Sequence, residues 1–331
     1  MKAFSRSRRT WHKTALGLAL AAATFSAPTF AGTWPDKPLN MIVPFPPGSS
    51  PDILARVIAD PLGKALGQHI IVQNKSGAGG NIGTREATQA KPDGYTILMT
   101  INGPMVTAPK LYKKTLGYKP DQLAPITLIG TSPNVLIVPQ NSPAKTVAEF
   151  VALAKSKPDE LNFGTVGPGS SSHLCMAMLE HKAGITLQQI PYPGFPEVVR
   201  SVVAGDIQAS FMVPGIAMPQ IQAHKVRALA ITSLKPSAIL PGIPTMASQG
   251  YPGFESISWD AMFVPAGTPK DIIARLNKEI TQILRQPDVK KKMEALYFSP
   301  APSTPEQLEA LIKTDTERWG GLIDRLHLSR D

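Results

Sequence analysis

Apolar positions along the chain fall into short continuous runs and longer runs spaced by three and four, and the two kinds alternate. Leu39-Asn40-Met41-Ile42-Val43 is short, apolar and β-branched, which predicts a buried strand. The residues from Ile53 to Ala59 have the spacing of an amphipathic helix. His69–Asn74 predicts a second strand, Gly83–Ala90 a short helix and Tyr95–Thr100 a third strand. Two further strands, Pro125–Gly130 and Asn134–Val138, are parted by Thr131-Ser132-Pro133. A second series follows: helix 146–156, strand 161–164, helix 173–179, strand 187–191, helix 197–203, strand 207–212 and strand 226–231. Beyond Trp259 the pattern turns helical, over 270–285, 288–296 and 305–325. Thr268 and Thr304 stand before Pro269 and Pro305 as expected caps.

Alternation of this kind implies an α/β fold with a mostly parallel sheet and helices on both faces. The length suits two domains rather than one. We expect the first to comprise 32–131 and 256–331 and the second 132–255. The chain would cross near Thr131–Pro133 and return near the Gly250-Tyr251-Pro252-Gly253 turn. Two α/β domains joined by two crossings make a cleft that can hinge.

Two loops invite a ligand. Pro44-Phe45-Pro46-Pro47-Gly48-Ser49-Ser50-Pro51-Asp52 links the first strand to the first helix. A helix start leaves backbone N–H groups unpaired, and with the positive end of the helix dipole they favour an anion. Ser49 or Ser50 can cap that helix, and Asp52 suits its first turn. Thr165-Val166-Gly167-Pro168-Gly169-Ser170-Ser171-Ser172 repeats the arrangement before the 173–179 helix. Each loop alone reads equally as an ordinary capped connection. The pair suggests one ligand gripped from two sides.

The first 31 residues stand apart from this pattern. Lys2, Arg6, Arg8, Arg9 and Lys13 form a basic head, Ala15–Phe25 a short apolar core, and Thr29-Phe30-Ala31 a small-residue end. This predicts a cleavable secretory signal peptide and a periplasmic product. Arg8-Arg9 leaves general secretory and twin-arginine export both open. Cleavage lowers the formal charge from +10 to +5, because the segment carries five positive and no negative charges. With no basic stripe interleaved with aromatics, the mature chain does not read as a nucleic-acid binder.

The chain holds 1 cysteine, Cys175, so no internal disulfide and no cysteine-based zinc site can form. It sits beside Met176 and reads as buried packing. Ser76-Gly77-Ala78-Gly79-Gly80-Asn81-Ile82-Gly83 misses the dinucleotide fingerprint by one residue and reads as a tight turn. No Gly-x-Ser-x-Gly element and no His-x-x-x-His spacing occurs. Ser172 and His173 are adjacent, which does not by itself make a catalytic pair; His173 reads as a helix N-terminal residue. No cofactor, metal or enzymatic mechanism is indicated. A secreted two-domain enzyme acting on small organic acids stands as the alternative to a binding protein.

Several segments, in order, resemble one family. Trp34-Pro35-Asp36-Lys37-Pro38, Ile42-Val43-Pro44-Phe45 and the loop to Asp52 are similar to the mature start of Bug-type receptors of tripartite tricarboxylate transporters. Asn74–Gly83, Pro92–Thr96, Ser171–Leu174, Pro191-Tyr192, Leu240–Thr245 and Pro265–Pro269 extend the resemblance over the mature chain. It implies a two-domain periplasmic-binding-protein architecture, type II-like, closing as a Venus flytrap on a small carboxylate. It further implies integral membrane subunits of the transporter as partners, and a monomer. Carried over by position, the ligand would meet Phe45, Pro47, Gly48 and Ser49 from one wall and Ser170, Ser171 and Ser172 from the other, with Asn102 in the loop after the third strand.

Three positions depart from the family pattern. Ser49 replaces the second glycine of a frequent pair, Pro193 stands where a lysine is frequent, and Val213 stands where an aspartate is frequent. Val213 therefore reads either as an apolar pocket wall or as packing in the second domain. The first option favours a ligand whose far end is hydrocarbon over an amino acid.

Overall fold

A computed structural model describes Met1, 34–167 and 169–329; the predicted signal peptide otherwise lies outside the described residues. The first apolar run among the described residues forms β1 (Leu39–Val43), followed by α1 (Ser50–Leu66), β2 (Ile70–Asn74), α2 (Asn81–Thr88) and β3 (Thr96–Ile101). A π-helical turn, Gly103–Thr107, leads into α3 (Ala108–Leu111). Then come β4 (Leu123–Pro133), β5 (Val135–Pro139), α4 (Val147–Ser156), β6 (Asn162–Thr165), α5 (Ser171–Ala183), β7 (Gln188–Pro191) and α6 (Phe195–Ala204). The chain continues through β8 (Ser210–Met212), α7 (Pro214–Gln222), β9 (Val226–Ile231), β10 (Ile257–Pro265), α8 (Lys270–Leu284), α9 (Pro287–Ala295), β11 (Ser299–Pro300) and α10 (Pro305–Arg325).

One sheet has the order β11-β4-β10-β3-β1-β2. A second has the order β8-β5-β9, and β6 and β7 form a two-stranded ribbon. The Phe163–Ala209 bridge and the Ser210 hydroxyl, which donates to Gly164 O at 2.9 Å, join this ribbon to β8. The expected mostly parallel sheet is overturned. Among the described residues the parallel strand ladders are β1–β2, β1–β3 and β6–β7, with isolated parallel bridges at Phe163–Ala209 and Ile231–Thr245, while β10 runs antiparallel to both β3 and β4 and β5 antiparallel to both its neighbours. The reason is β10, a strand the sequence pattern did not announce: the returning chain enters the first sheet between β3 and β4 against their direction.

Thr131-Ser132-Pro133 is not a break. These residues pair with Ile257–Trp259, and Asn134 alone separates β4 from β5. Thr304 caps α10 as expected, accepting from Gln307 N–H, with Gln307 returning the bond to Thr304 N–H. Thr268 does not cap α8; its hydroxyl donates to Pro265 O at 2.7 Å, and Pro269 occupies the cap position.

Four clusters of buried residues cover the sheets. Leu54, Ile58 and Leu62 of α1, with Leu276 and Ile280 of α8 and Met293 of α9, pack on one face of the six-stranded sheet. Trp319, Leu322 and Ile323 of α10 pack on the other with Leu98 and Phe263. Phe150 of α4 and Cys175, Met176 and Leu179 of α5 cover one side of β5, while α6 and α7 cover its other side. The α5 helix belongs to both halves, because its Leu174 and Ala177 enter the cluster formed with Trp319.

Candidate functional site

The loop from Pro44 to Ser49 leaves the C-terminal end of β1, and Asn102 follows the C-terminal end of the adjacent parallel strand β3. In open α/β sheets ligands collect at that edge. The second loop leaves β6, and Val213 follows β8, the strand that the Phe163–Ala209 bridge sets parallel to β6. All the residues expected at a site thus stand at strand C-termini.

A shared wall links the two sets. The Phe45 ring lies on Gly80, where a Cβ would stand 2.6 Å from Phe45 Cζ and 3.0 Å from Pro104 Cγ. Gly80 has φ +95°, so both its conformation and the ring above it exclude a side chain. Pro104 belongs to the turn after Asn102. The same segment ends at Leu111, which lies against Gly169 of the second loop so closely that a Cβ would meet Leu111 Cδ1 at 2.1 Å. Residues 102–111 therefore lie beside Gly80, on which the Phe45 ring also rests, at one end and against the second loop at the other.

The first loop is fixed by a network that the sequence reading did not assemble. Asp52 is buried, and its carboxylate accepts from Gly48 N–H at 2.9 Å, Arg56 Nε at 3.0 Å and Asn74 Nδ2 at 2.9 Å. Asn74 Nδ2 also reaches Phe45 O at 2.9 Å. Burial pushes the Asp52 carboxyl up, but the bonds from Arg56, Gly48 and Asn74 outweigh it and hold the group below its usual range. Asn74 lies 22 residues from Asp52 in the chain, so only the β1–β2 pairing brings them together. Ser49 holds the cap position with φ −71°, so the missing glycine imposes no backbone strain. Its hydroxyl does not cap α1; it donates to Pro46 O at 2.7 Å.

These bonds decide which donors face outward. Gly48 N–H goes to Asp52 and Ser49 N–H to Pro46 O. Pro51 has no N–H, leaving Ser50 and Asp52 N–H as the donors at the start of α1 that have no partner among the described residues.

In the second loop, Val166 N–H donates to Ser172 Oγ at 3.2 Å and Gly167 N–H to Thr165 Oγ1 at 3.1 Å. Ser170 caps α5 by accepting from His173 N–H, and its hydroxyl lies 2.9 Å from Ser172 Oγ. Ser172 is fully buried, so its hydroxyl serves the loop. Ser171 is half-buried, and its hydroxyl and N–H, with the Ser172 N–H, have no partner among the described residues. His173 sits in the first turn of α5, as expected. Its Nδ1 accepts Gly169 N–H at 2.9 Å and its ring stacks on Phe163 at 6.4 Å between centroids, so the proton sits on Nε2. Ser172 and His173 each brace the loop through different atoms.

Val213 is half-buried and precedes α7, its carbonyl accepting from Ile216 and Ala217 N–H. Cys175 is fully buried, as expected, and burial pushes its thiol up to about 12. Among the described residues no cluster of metal-ligating side chains occurs, and no helix is long and apolar enough to cross a membrane.

A family model described as "Tripartite tricarboxylate transporter family receptor" matches residues 54–328. The protein BugT of Bordetella pertussis is 34% identical over 309 residues, 93% of this chain and 95% of that one. Among solved structures, the periplasmic binding protein BugD is 34% identical, with a TM-score of 0.77 over 90% of this chain and 100% of that one. The R. palustris protein Rpa4515, solved with adipate, is 29% identical, with a TM-score of 0.81 over 89% of this chain and 99% of that one.

Proposed function

Because the chain belongs to the receptor family of tripartite tricarboxylate transporters, we propose that it captures a small carboxylate between its two α/β halves and delivers it to the transporter's membrane subunits. Family members are periplasmic solute-binding receptors. The observation that carries the reading is the pair of helix starts, each with two N–H groups that have no partner among the described residues and each beginning at the C-terminal edge of parallel strands. Such a start is a ready anion site, and a carboxylate has two oxygens to divide between them.

On this reading the ligand meets the 45–49 loop, where Phe45, Pro47, Gly48 and Ser49 form one wall. Ser170, Ser171 and Ser172 form the other, and Asn102 closes the side. The two lobes are 32–131 with 256–331 and 132–255, turning about the crossings at Asn134 and near 232–256. The export segment is removed after Ala31, and N-terminal sequencing of the exported protein should begin at Gly32. The receptor acts as a monomer and returns its ligand chemically unchanged.

Val213 and Pro193 leave the far end of the cleft without the charges that aspartate and lysine would supply. A buried ammonium without an anionic partner is very costly, so an aliphatic or aromatic acid is favoured over an amino acid. Calorimetric titration with adipate, malate, benzoate, terephthalate, aspartate and glutamate tests this. Binding confined to aspartate and glutamate would show that Val213 does not line the pocket, and silence from all six would remove the carboxylate reading.

A further inference from the structure

The two crossings between the halves are stitched together by four fully or almost fully buried side chains, Asn134, Cys175, Thr232 and Ser256. Asn134 is the single residue between β4 of the first sheet and β5 of the second. Thr232 follows β9 of the second sheet directly, and Ser256 precedes β10 of the first. Asn134 N–H donates to Thr232 Oγ1 at 2.8 Å, and Thr232 N–H returns a bond to Asn134 O at 3.0 Å. Ser256 N–H donates to Thr232 O at 3.0 Å, and the Thr232 hydroxyl donates to Ser256 O. Thr232 therefore bonds both crossings at once.

The fourth member comes from the helix that begins at the second loop. Cys175 lies one turn beyond Ser171 on α5, and its thiol donates to Ser256 Oγ at 2.9 Å. Asn134 Nδ2 reaches both Ser256 O at 3.4 Å and Cys175 Sγ at 3.6 Å. A displacement of the first turn of α5 is thus felt directly by both crossings. One acceptor is left over: Asn134 Oδ1 is buried with no partner among the described residues. Buried polar groups are almost always paired, so this unpaired oxygen marks the crossing as a place where the polar network is incomplete.

We propose that Asn134, Cys175, Thr232 and Ser256 are the pivot of the receptor, coupling ligand capture at Ser171 to the relative movement of the two lobes through α5. None of the four belongs to the ligand loops; they are positioning residues. The inference rests on the receptor reading above, and the experiment separates the two. Cys175 is the 1 cysteine of the chain, so a thiol reagent reports on the cluster without further engineering. In ligand-free native protein, Thr232→Val, which keeps the shape and loses the hydroxyl, should be modified by 5,5′-dithiobis(2-nitrobenzoate) at least about five-fold faster than the wild type, with Thr232→Ser restoring the slow rate. An unchanged rate in Thr232→Val overturns the pivot whether or not any carboxylate binds. With the tightest binder from the titrations at saturation, wild-type labelling should slow at least about five-fold. Thr232→Val should lose most of that contrast and bind about five-fold more weakly, although it lies outside the ligand loops. Equal labelling with and without a calorimetrically verified ligand, or wild-type affinity in Thr232→Val, overturns the coupling and leaves the receptor reading intact. If none of the six acids binds, the receptor reading fails while the ligand-free comparison still decides the pivot.

Discussion

Ser171 and Ser172 are neighbours with opposite duties. Ser171 offers an unpaired hydroxyl, whereas Ser172 Oγ is buried and holds Val166 N–H and the cap residue Ser170. A hydrogen bond to a charged group contributes about 1.5–3 kcal/mol, so Ser171→Ala should weaken carboxylate binding about 10- to 100-fold and leave the ligand-free melting temperature unchanged. Ser172→Ala should lower both affinity and melting temperature, because Val166 N–H loses its acceptor. Calorimetry and thermal melts on the two variants separate these outcomes. Two buried carboxyls give opposite pH signatures. Hydrogen bonds depress Asp52, so its contribution to stability is present above the unfolded value of about 3.9 and lost as pH falls through its lower native value. Burial raises Asp260, whose Oδ1 has no partner among the described residues, so its contribution is complete below about 3.9 and lost as pH rises through its higher native value. Melting curves of Asp52→Asn and Asp260→Asn from pH 3 to 8 check both. The first variant should lose part of the acid-side slope, and the second should gain most, relative to the wild type, at the alkaline end.

Among the elements, α5 concentrates the contacts: it starts at the second loop, runs between the cores of both halves and touches the crossings. Its first turn depends on Gly169, which has φ +78° and lies against Leu111. Gly169→Ala forces a contact that requires Leu111 or the loop to shift, so carboxylate affinity should fall by about ten-fold or more, measured by calorimetry, while Gly184→Ala at the other end of α5 should leave it nearly unchanged. Gly184 likewise has positive φ, +62°, but nothing lies near its would-be Cβ, which makes it the control for backbone strain alone. The start of α5 was legible in the sequence because Ser170, Ser171 and Ser172 are capping residues before an apolar run. What His173 does was not legible, since its partner is the Gly169 N–H and the residue types alone do not announce that bond. The strand β10 escaped notice for a different reason. Its run Ile257-Ser258-Trp259-Asp260-Ala261-Met262 carries an aspartate in a buried position, where the pattern calls for an apolar residue. The nine-residue α7 was hidden by Pro214 and Pro219, which read as breakers although the first occupies a position that a helix tolerates.

At the scale of the whole molecule, two groups of layers are joined by two crossings and one shared helix. A ligand that touches both loops gains its full set of bonds only when the halves approach, which is the differential affinity that closure requires. Small-angle scattering should therefore show a smaller radius of gyration at saturation with a binding acid than without it, and an unchanged radius would count against closure. The paired loops and the alternation of elements were readable in the chain. The order of strands was not, because it depends on where residues 257–265 return. That return also shapes the life of the protein before it folds. β10 fills the space between β3 and β4 in the middle of a six-stranded sheet, yet it is made after more than three quarters of the polypeptide. A nascent chain that has emerged only to residue 256 has no partner to join those two strands, so the sheet cannot close on the ribosome until synthesis is nearly done. The middle of the first sheet is thus one of the last parts of the molecule that can be completed, and it is sealed only when the C-terminal helices α8, α9 and α10 arrive to cover it.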